Sequence, residues 1–289
     1  MATAAELRKQ CMEIIDTYRG GYFNDRPWLR EAFDAIPRER FTPDRVWWHL
    51  RDDSGCYPVL DRQVQPDEWL EAVYTPDAPL ITQIADGAVR IEDGPTRSSG
   101  FTSSISCPLV VVSMLHHLDP EPGETILEIG TGTGYNTALL ARRIGPGQLV
   151  TIENQPALAE RAEQNLQALG GDQPLVVTGD GEQGYPERAP YDRILSTVGV
   201  RQVPPAWLHQ VRAGGVIVTP IATPFGCDAL AKLVCDGEGG ASGRLIKQIY
   251  FMKLHGQRER RPWSELGWPR WPDYQVALSP DGTQRIRTV

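Results

Sequence analysis

From about Gly100 onward the chain alternates short β-branched apolar runs with amphipathic stretches, and no other feature narrows its fold as much. A strand that is apolar on both faces has to be covered on both faces, which a parallel sheet flanked by helices achieves. The spacing predicts strands over 125–129, 148–153, 175–178, 193–197 and 216–221, and helices near 136–144, 156–169 and 204–211. Asn154 and Pro156 suit the start of the second of these helices, since an Asn side chain caps open N–H groups and proline fits the first turn. The runs DALAKLVC and LIKQIYFMKL, joined by the Gly-rich stretch DGEGGASGR, read as an antiparallel hairpin that finishes the sheet. The expected fold class is a doubly wound, Rossmann-like α/β sheet with a terminal hairpin.

The segment ETILEIGTGTGYNTALLARRIGPGQLVTIE says what such a sheet would hold. A strand runs into Gly130, Gly132 and Gly134 and then into a helix, and Glu153 stands at the end of the next strand, nineteen residues after Gly134. Glycines at this turn let a ligand approach the backbone, and a carboxylate at the second strand's tip suits a ribose diol. A nucleoside cofactor is implied. A dinucleotide fingerprint needs G-x-G-x-x-G, whereas here Tyr135 and Asn136 follow Gly134 and the reading is E-x-G-x-G-x-G, with Glu128 two residues before the first glycine. That pattern resembles S-adenosylmethionine-dependent methyltransferases. Under that resemblance the Glu128 carboxylate faces a cationic aminoacyl group, and Asp180, at the third strand's end in TGDGEQGY, meets the adenine amine. Thr131 and Gly181, inside the same two loops, complete the expected cofactor set.

Composition removes several other classes. In 289 residues, 40% are apolar and 23% charged, and no apolar run approaches the roughly 20 residues that span a bilayer, so neither a membrane protein nor a disordered chain is expected. The start MATAAELRKQCMEIIDTY lacks the apolar stretch of a secretory signal, and the expected location is the cytoplasm. Five scattered cysteines without a C-x-x-C fit reduced thiols rather than disulfides or a zinc knuckle, and no metal constellation stands out. A net charge of −8 argues against nucleic acid as a partner. The charge is uneven, with six Arg against four acids over 255–289 and ten acids against four Arg over 47–99.

The phrases AFDAIPRERFTP, GFTSSISCP, ILEIGTGTGYNTALLAR, VTGDGEQGYPERAPYDRI, VPPAWLHQVRAGGVIVTPI and FMKL, in this order, resemble the protein-L-isoaspartate O-methyltransferase family. The resemblance implies a class I methyltransferase fold and methyl transfer from S-adenosylmethionine to an isoaspartyl α-carboxylate or a side-chain carboxylate, after which the ester collapses to a succinimide. It also implies that Ser104 and Ser106, in SSISCP, lie on the family's T-I-S-x-P acceptor segment and position the carboxylate. Ser106 also suits plain helix capping before Pro108. A carboxylate is already anionic at neutral pH, so no strong general base is needed. His116 and His117 accordingly read as structural or surface groups, and Cys107 as a buried, inert thiol.

Some 60 residues separate Pro43 from Ser103, where ordinary family members have a short stretch. This insertion holds Trp47, Trp48, Trp69 and Tyr74, and the tail after Leu254 holds Trp263, Trp268 and Trp271. Aromatics set among Pro and Arg in this way read as recognition surface or as a clasp over the domain. In these two additions the chain is similar to a divergent branch that acts on ribosomally made, ATP-grasp-crosslinked peptides and related lanthipeptides and lasso peptides, methylating one Asp of a constrained precursor and so installing an aspartimide. The expected organisation is a helical segment with insertion over 1–99, a methyltransferase domain over 100–254 and an extension over 255–289. The expected partner is a peptide or protein acceptor, with repair of isoaspartyl proteins as the alternative and an inactive cofactor-binding module ranked below it. A nucleic-acid methyltransferase would share the cofactor motifs, but neither a basic groove nor an N/D-P-P-Y loop is present.

Overall fold

A computed structural model describes residues 2–18, 21–280 and 283–288; the remaining positions of the N-terminal segment and tail lie outside the described residues. Helix α1 (Ala4–Thr17) opens with a capping box in which Thr3 and Glu6 satisfy each other's backbone N–H groups. Helix α2 (Pro27–Ala35) starts on its proline and buries Leu29, Ala32 and Phe33, the spacing of one helical face. Next come β1 (Arg45–Trp48), β2 (Val59–Asp61), helix α3 (Pro66–Tyr74), β3 (Leu80–Ile84) and β4 (Phe101–Ile105). The four strands form one antiparallel sheet in the order β2-β1-β3-β4. The four strands are short and joined by long loops, whereas α3 buries Trp69, Ala72 and Val73, the spacing of one helical face.

Helix α4 (Pro108–Leu118) leads into the large sheet, built from β5 (Ile126–Ile129), α5 (Tyr135–Ile144), β6 (Leu149–Glu153), α6 (Pro156–Gln167), β7 (Leu175–Thr178), β8 (Tyr191–Ser196), α7 (Pro205–Gln210), β9 (Val211–Ala222), β10 (Asp228–Cys235) and β11 (Ala241–Ile249). Its order is β11-β10-β9-β8-β5-β6-β7. Strands β7, β6, β5, β8 and β9 run parallel, and β10 and β11 return antiparallel, which is the expected doubly wound sheet with its terminal hairpin. Every residue of β5 and β6 is buried, as strands covered on both faces require. The chain winds one way from β5 to β6 and the other way to β8, so the crevice beyond their carboxyl ends is the topological switch point where ligands bind in such sheets. The tail adds a separate two-stranded sheet, β12 (Tyr274–Leu278) with β13 (Gln284–Thr288). Among the described residues, no helix is long and apolar enough to cross a membrane.

Two expectations are corrected here. The N-cap of α6 is Gln155 rather than Asn154, and no side chain caps it; instead the Glu153 carboxylate accepts the Gln155 N–H at 3.2 Å. Three of the insertion's four named aromatics are also core rather than surface, and Trp48 is half-buried. Trp47 packs with Tyr57, Ile81 and Ile84 in the small sheet's core, whereas Trp69 and Tyr74 join the main core, and the Trp69 indole N–H donates to the Pro43 carbonyl at 3.1 Å. Trp271 in the tail, by contrast, is 90% exposed.

The N-terminal helices are welded to the nucleotide-binding half through Phe33, which is fully buried and meets Phe23 and Tyr135 edge-on at 5.9 and 6.4 Å between ring centres. Phe33→Ala removes a ring from a close-packed site, and the expected loss of stability is about 3–5 kcal/mol. Urea unfolding followed by circular dichroism checks this; a loss below 1 kcal/mol would mean that α2 is not part of the cooperative unit.

Candidate active site

The turn between β5 and α5 is organised from below by Glu128, which is wholly buried. Its carboxylate accepts from Asn136 Nδ2 at 2.6 Å, Thr137 Oγ1 at 2.5 Å and Thr151 Oγ1 at 2.8 Å, and burial raises its pKa while these donors oppose the rise. Because Thr151 gives its proton to Glu128, its oxygen takes the Thr131 hydroxyl at 2.7 Å, which ties the glycine loop into the same cluster. Glu128 does not border the cavity; its oxygens accept from α5 and β6, so it supports the loop from beneath rather than meeting the expected aminoacyl group.

Above this support lies a cavity lined by Gly130, Thr131, Gly132, Glu153, Asp180, Gly181, Thr197 and the Ser104–Ser106 segment. Glu153, at the tip of β6, accepts the Gly132 N–H at 2.9 Å; burial raises its pKa, and the backbone N–H groups of Gly132, Gln155 and Asn154 counter that. Asp180, beyond the tip of β7, is exposed, and its Oδ1 accepts the Glu182 N–H at 3.0 Å. The three glycines do three different things. Gly130 has φ +91° and any Cβ there would sit 2.7 Å from Thr197 Oγ1; Gly132 has φ +56° and a Cβ would point into the gap before the Ser104 carbonyl, 3.8 Å away; Gly134 lies outside the cavity and makes room for α6, where a Cβ would sit 3.4 Å from the Ala162 carbonyl. Gly181 is buried beneath Trp207, whose indole N–H donates to its carbonyl at 2.7 Å.

Ser104 and Ser106 stand two residues apart on extended chain and so share a face. Neither hydroxyl has a hydrogen-bond partner among the described residues, whereas Ser103, just before them, takes the Thr82 hydroxyl at 2.8 Å. Ser106 does not cap α4; the N-cap is Cys107, with no side-chain bond. Both serines, with Met252, border a second cavity of about 400 Å³ as well as the first. The two cavities therefore meet at two free hydroxyls. The backbone between them is held from inside by the fully buried Arg38, whose Nε donates to the Val73 carbonyl at 2.8 Å and whose Nη2 lies 3.4 Å from the Ile105 carbonyl.

His116 and His117 lie outside both cavities; His116 Nδ1 is 3.1 Å from the Tyr22 carbonyl, and burial pulls the His117 pKa down to about 4. Cys107 borders the second cavity, but burial raises its thiol pKa, which keeps it protonated and unreactive. Sequence reasoning missed Thr197, Val198 and the run Met252, Lys253, Leu254, His255 and Arg258 as cavity walls. FMKL was legible as a phrase, but nothing local in it says that it returns over the glycine loop. Lys253 is paired with Asp228 at 2.6 Å, and Arg258 grips both oxygens of Asp86 at 2.6 and 2.9 Å, so neither cation is free in the cavity.

This chemistry fits S-adenosylmethionine. Glu153 and Asp180 supply acceptors at the tips of successive strands, and a side chain at Gly132 would fill the cradle beside them. A doubly wound sheet of this kind defines the class I S-adenosylmethionine-dependent methyltransferases. The model of the protein-L-isoaspartate(D-aspartate) O-methyltransferase family matches residues 80–259. The chain is 42% identical over 253 residues to the protein-L-isoaspartate O-methyltransferase of Methanothermobacter thermautotrophicus, covering 87% of this chain and 96% of that one. It is 36% identical over 261 residues to the enzyme of the same name from Hyperthermus butylicus, covering 87% and 90%. Among solved structures, a protein-L-isoaspartate O-methyltransferase superposes with a TM-score of 0.62 at 26% identity, over 85% of this chain and 65% of that one. A Plasmodium falciparum structure described as a putative member, in complex with S-adenosyl-L-homocysteine, shares the fold with a TM-score of 0.61 at 14% identity, over 90% of this chain and all of that one. The chain belongs to this family and is an S-adenosylmethionine-dependent carboxyl O-methyltransferase.

Gly130→Val places a branched side chain at a left-handed φ and against Thr197 and Val198. The expected result is loss of S-adenosylmethionine binding, by at least about a hundredfold, in a protein that still shows native circular dichroism. Titration calorimetry measures it; unchanged affinity would refute the loop's role.

Proposed function

We propose that the acceptor is a constrained, ribosomally made precursor peptide and that the group methylated is the side-chain carboxylate of one L-aspartate. The observation that carries this reading is the second cavity, which is walled by His49, Pro79, Ile81, Ser99 and Phe101 from the insertion and the strand that follows it. Two of these, His49 and Pro79, lie before the stretch that the family model matches, and contact surface remote from the reacting atoms is how an enzyme gains selectivity for one structured substrate. Ser104 and Ser106, at the junction of the two cavities, orient the carboxylate by donating to it without neutralising it. When bound, S-adenosylmethionine supplies an electrophilic methyl group on sulfur. The apolar walls exclude water from the junction, and the chain needs no base because the nucleophile carries no proton to remove. In the methylated peptide the next backbone amide nitrogen attacks the ester carbonyl, methanol leaves, and an aspartimide remains.

The near full-length relatives named protein-L-isoaspartate O-methyltransferase favour a second reading, methylation of isoaspartyl sites in damaged proteins. Either acceptor depends on the serines. Ser106→Ala is expected to lower kcat at least about tenfold while leaving the Kd for S-adenosylmethionine within twofold, since the hydroxyl meets the acceptor and not the cofactor. Initial rates alongside calorimetry check it; full turnover in the variant would reduce Ser106 to a backbone element.

The acceptor itself is decided by mass spectrometry on a cyclised aspartyl precursor and on linear isoaspartyl peptides of unrelated sequence. The expected precursor first gains the mass of one CH2 and then shows a net loss of one water relative to the start. Removing residues from 262 onward, a cut that spares the cavity walls His255 and Arg258, is expected to slow the precursor reaction and leave cofactor affinity unchanged. Efficient methylation of the isoaspartyl peptides, with no preference for the precursor and no effect of the cut, would establish repair instead.

A further inference from the structure

Among the side chains that border the second cavity, His49 is the imidazole that neither the cofactor site nor Ser104 and Ser106 account for. His49 follows β1 directly, packs against Trp48 with 4.6 Å between ring centres, and borders the cavity together with Ser104 and Ser106. Its Nδ1 is buried without a hydrogen-bond partner. A buried imidazole nitrogen left unpaired costs free energy, and such groups are retained where a ligand supplies the partner. The remaining walls are chiefly apolar, Pro79, Ile81, Phe101, Val110, Phe251 and Met252, and no Lys or Arg is among them. A carboxylate entering here finds hydroxyls and one imidazole, and no cation.

We propose that His49 is an acceptor-binding residue: its imidazole donates an N–H to the oxygen of the acceptor carboxylate that is not methylated, while Ser104 and Ser106 orient the oxygen that is. This rests on the reading of the second cavity as the acceptor site and holds for either acceptor. A neutral donor suits the chemistry, because a full positive charge beside the carboxylate would draw electron density from the nucleophilic oxygen. Burial lowers the His49 pKa below the ordinary histidine value, against the opposing charge of Asp77. The other titratable side chains on the cavity wall are Cys107, whose thiol is raised by burial, and Tyr250. The imidazole is therefore neutral at pH 7 and becomes a cation only in acid, where kcat falls.

The test compares wild type with His49→Gln, which keeps an N–H donor without a titrating proton, and His49→Phe, which keeps the bulk and loses the donor. Acceptors are a linear isoaspartyl hexapeptide and a side-chain-cyclised peptide with one L-aspartate. On whichever is methylated, His49→Phe is expected to lower kcat/KM for the peptide by about ten- to a hundredfold, the range for a lost hydrogen bond to a charged group, with cofactor Kd unchanged. His49→Gln should stay within about threefold, and its acid limb should move to lower pH, towards the acceptor carboxylate's own titration. A second readout needs no turnover: in protein labelled with 15N-histidine and saturated with S-adenosylhomocysteine, adding the isoaspartyl hexapeptide should shift the His49 resonance, assigned by its absence in His49→Gln. Unchanged kinetics and pH profile in His49→Phe overturn the proposal. If wild type methylates neither peptide, the functional reading fails, and the resonance decides His49 alone: a shift supports the contact and no shift overturns it.

Discussion

A carboxylate buried beneath the glycine loop holds the site together. Glu128 has no access to water, and a carboxylate so placed is tolerable only when its oxygens are hydrogen-bonded. The donors come from the two elements that must meet for the loop to take its shape: Asn136 and Thr137 from the first turn of α5, and Thr151 from β6. With Thr131 bonded to Thr151, strand, loop, helix and the neighbouring strand share one network. The cost of leaving any member unpaired in a low-dielectric interior keeps the loop in one geometry before any ligand arrives. Glu153, one strand over, repeats the principle at the rim by holding the Gly132 N–H.

The cofactor side and the acceptor side belong to different sheets. The parallel sheet supplies the glycine loop and the two acids, and the antiparallel sheet supplies β4 with Ser104, followed by Ser106. What aligns them is Arg38, which reaches through the core to the carbonyl between the serines, while Gly132, at φ +56°, faces the Ser104 carbonyl across the cavity. An arginine with no exposure and no carboxylate partner is an expensive way to hold two backbone segments. Its planar fork, however, reaches carbonyls on α3 and β4 at once, which an apolar residue of the same volume cannot do.

Two segments that flank the large sheet are joined through an ion pair. Arg258 from the tail grips Asp86 from the insertion, and Gln257 accepts the backbone N–H groups of Arg201 and Gln202 at 2.6 and 3.0 Å. The opposite charge of the two regions, visible as a bias in composition, thus has at least one specific expression. The segment carrying Met252 to Arg258 lines the first cavity and shares Met252 with the second.

The sequence by itself determined the parallel sheet, its hairpin and the loop of glycines, because those rest on local signals: β-branched runs, helical periodicity, and a turn that only glycine can make. It also placed Glu153, Asp180 and the two serines, whose positions follow from strand ends and two-residue alternation. Tertiary structure decided everything that depends on which surfaces meet. Glu128 became a structural hub and Gly134 a packing contact because helices α5 and α6 close on them from behind. Trp47 and Trp69 became core because β1 and α3, which carry them, turn them against Ile81 and Ile84 and against the main core, and His49, unremarkable between a tryptophan and a leucine, reached the second cavity by the same folding. Burial and long-range pairing are properties of two segments at once, and a linear sequence carries only half of each pair at any one place.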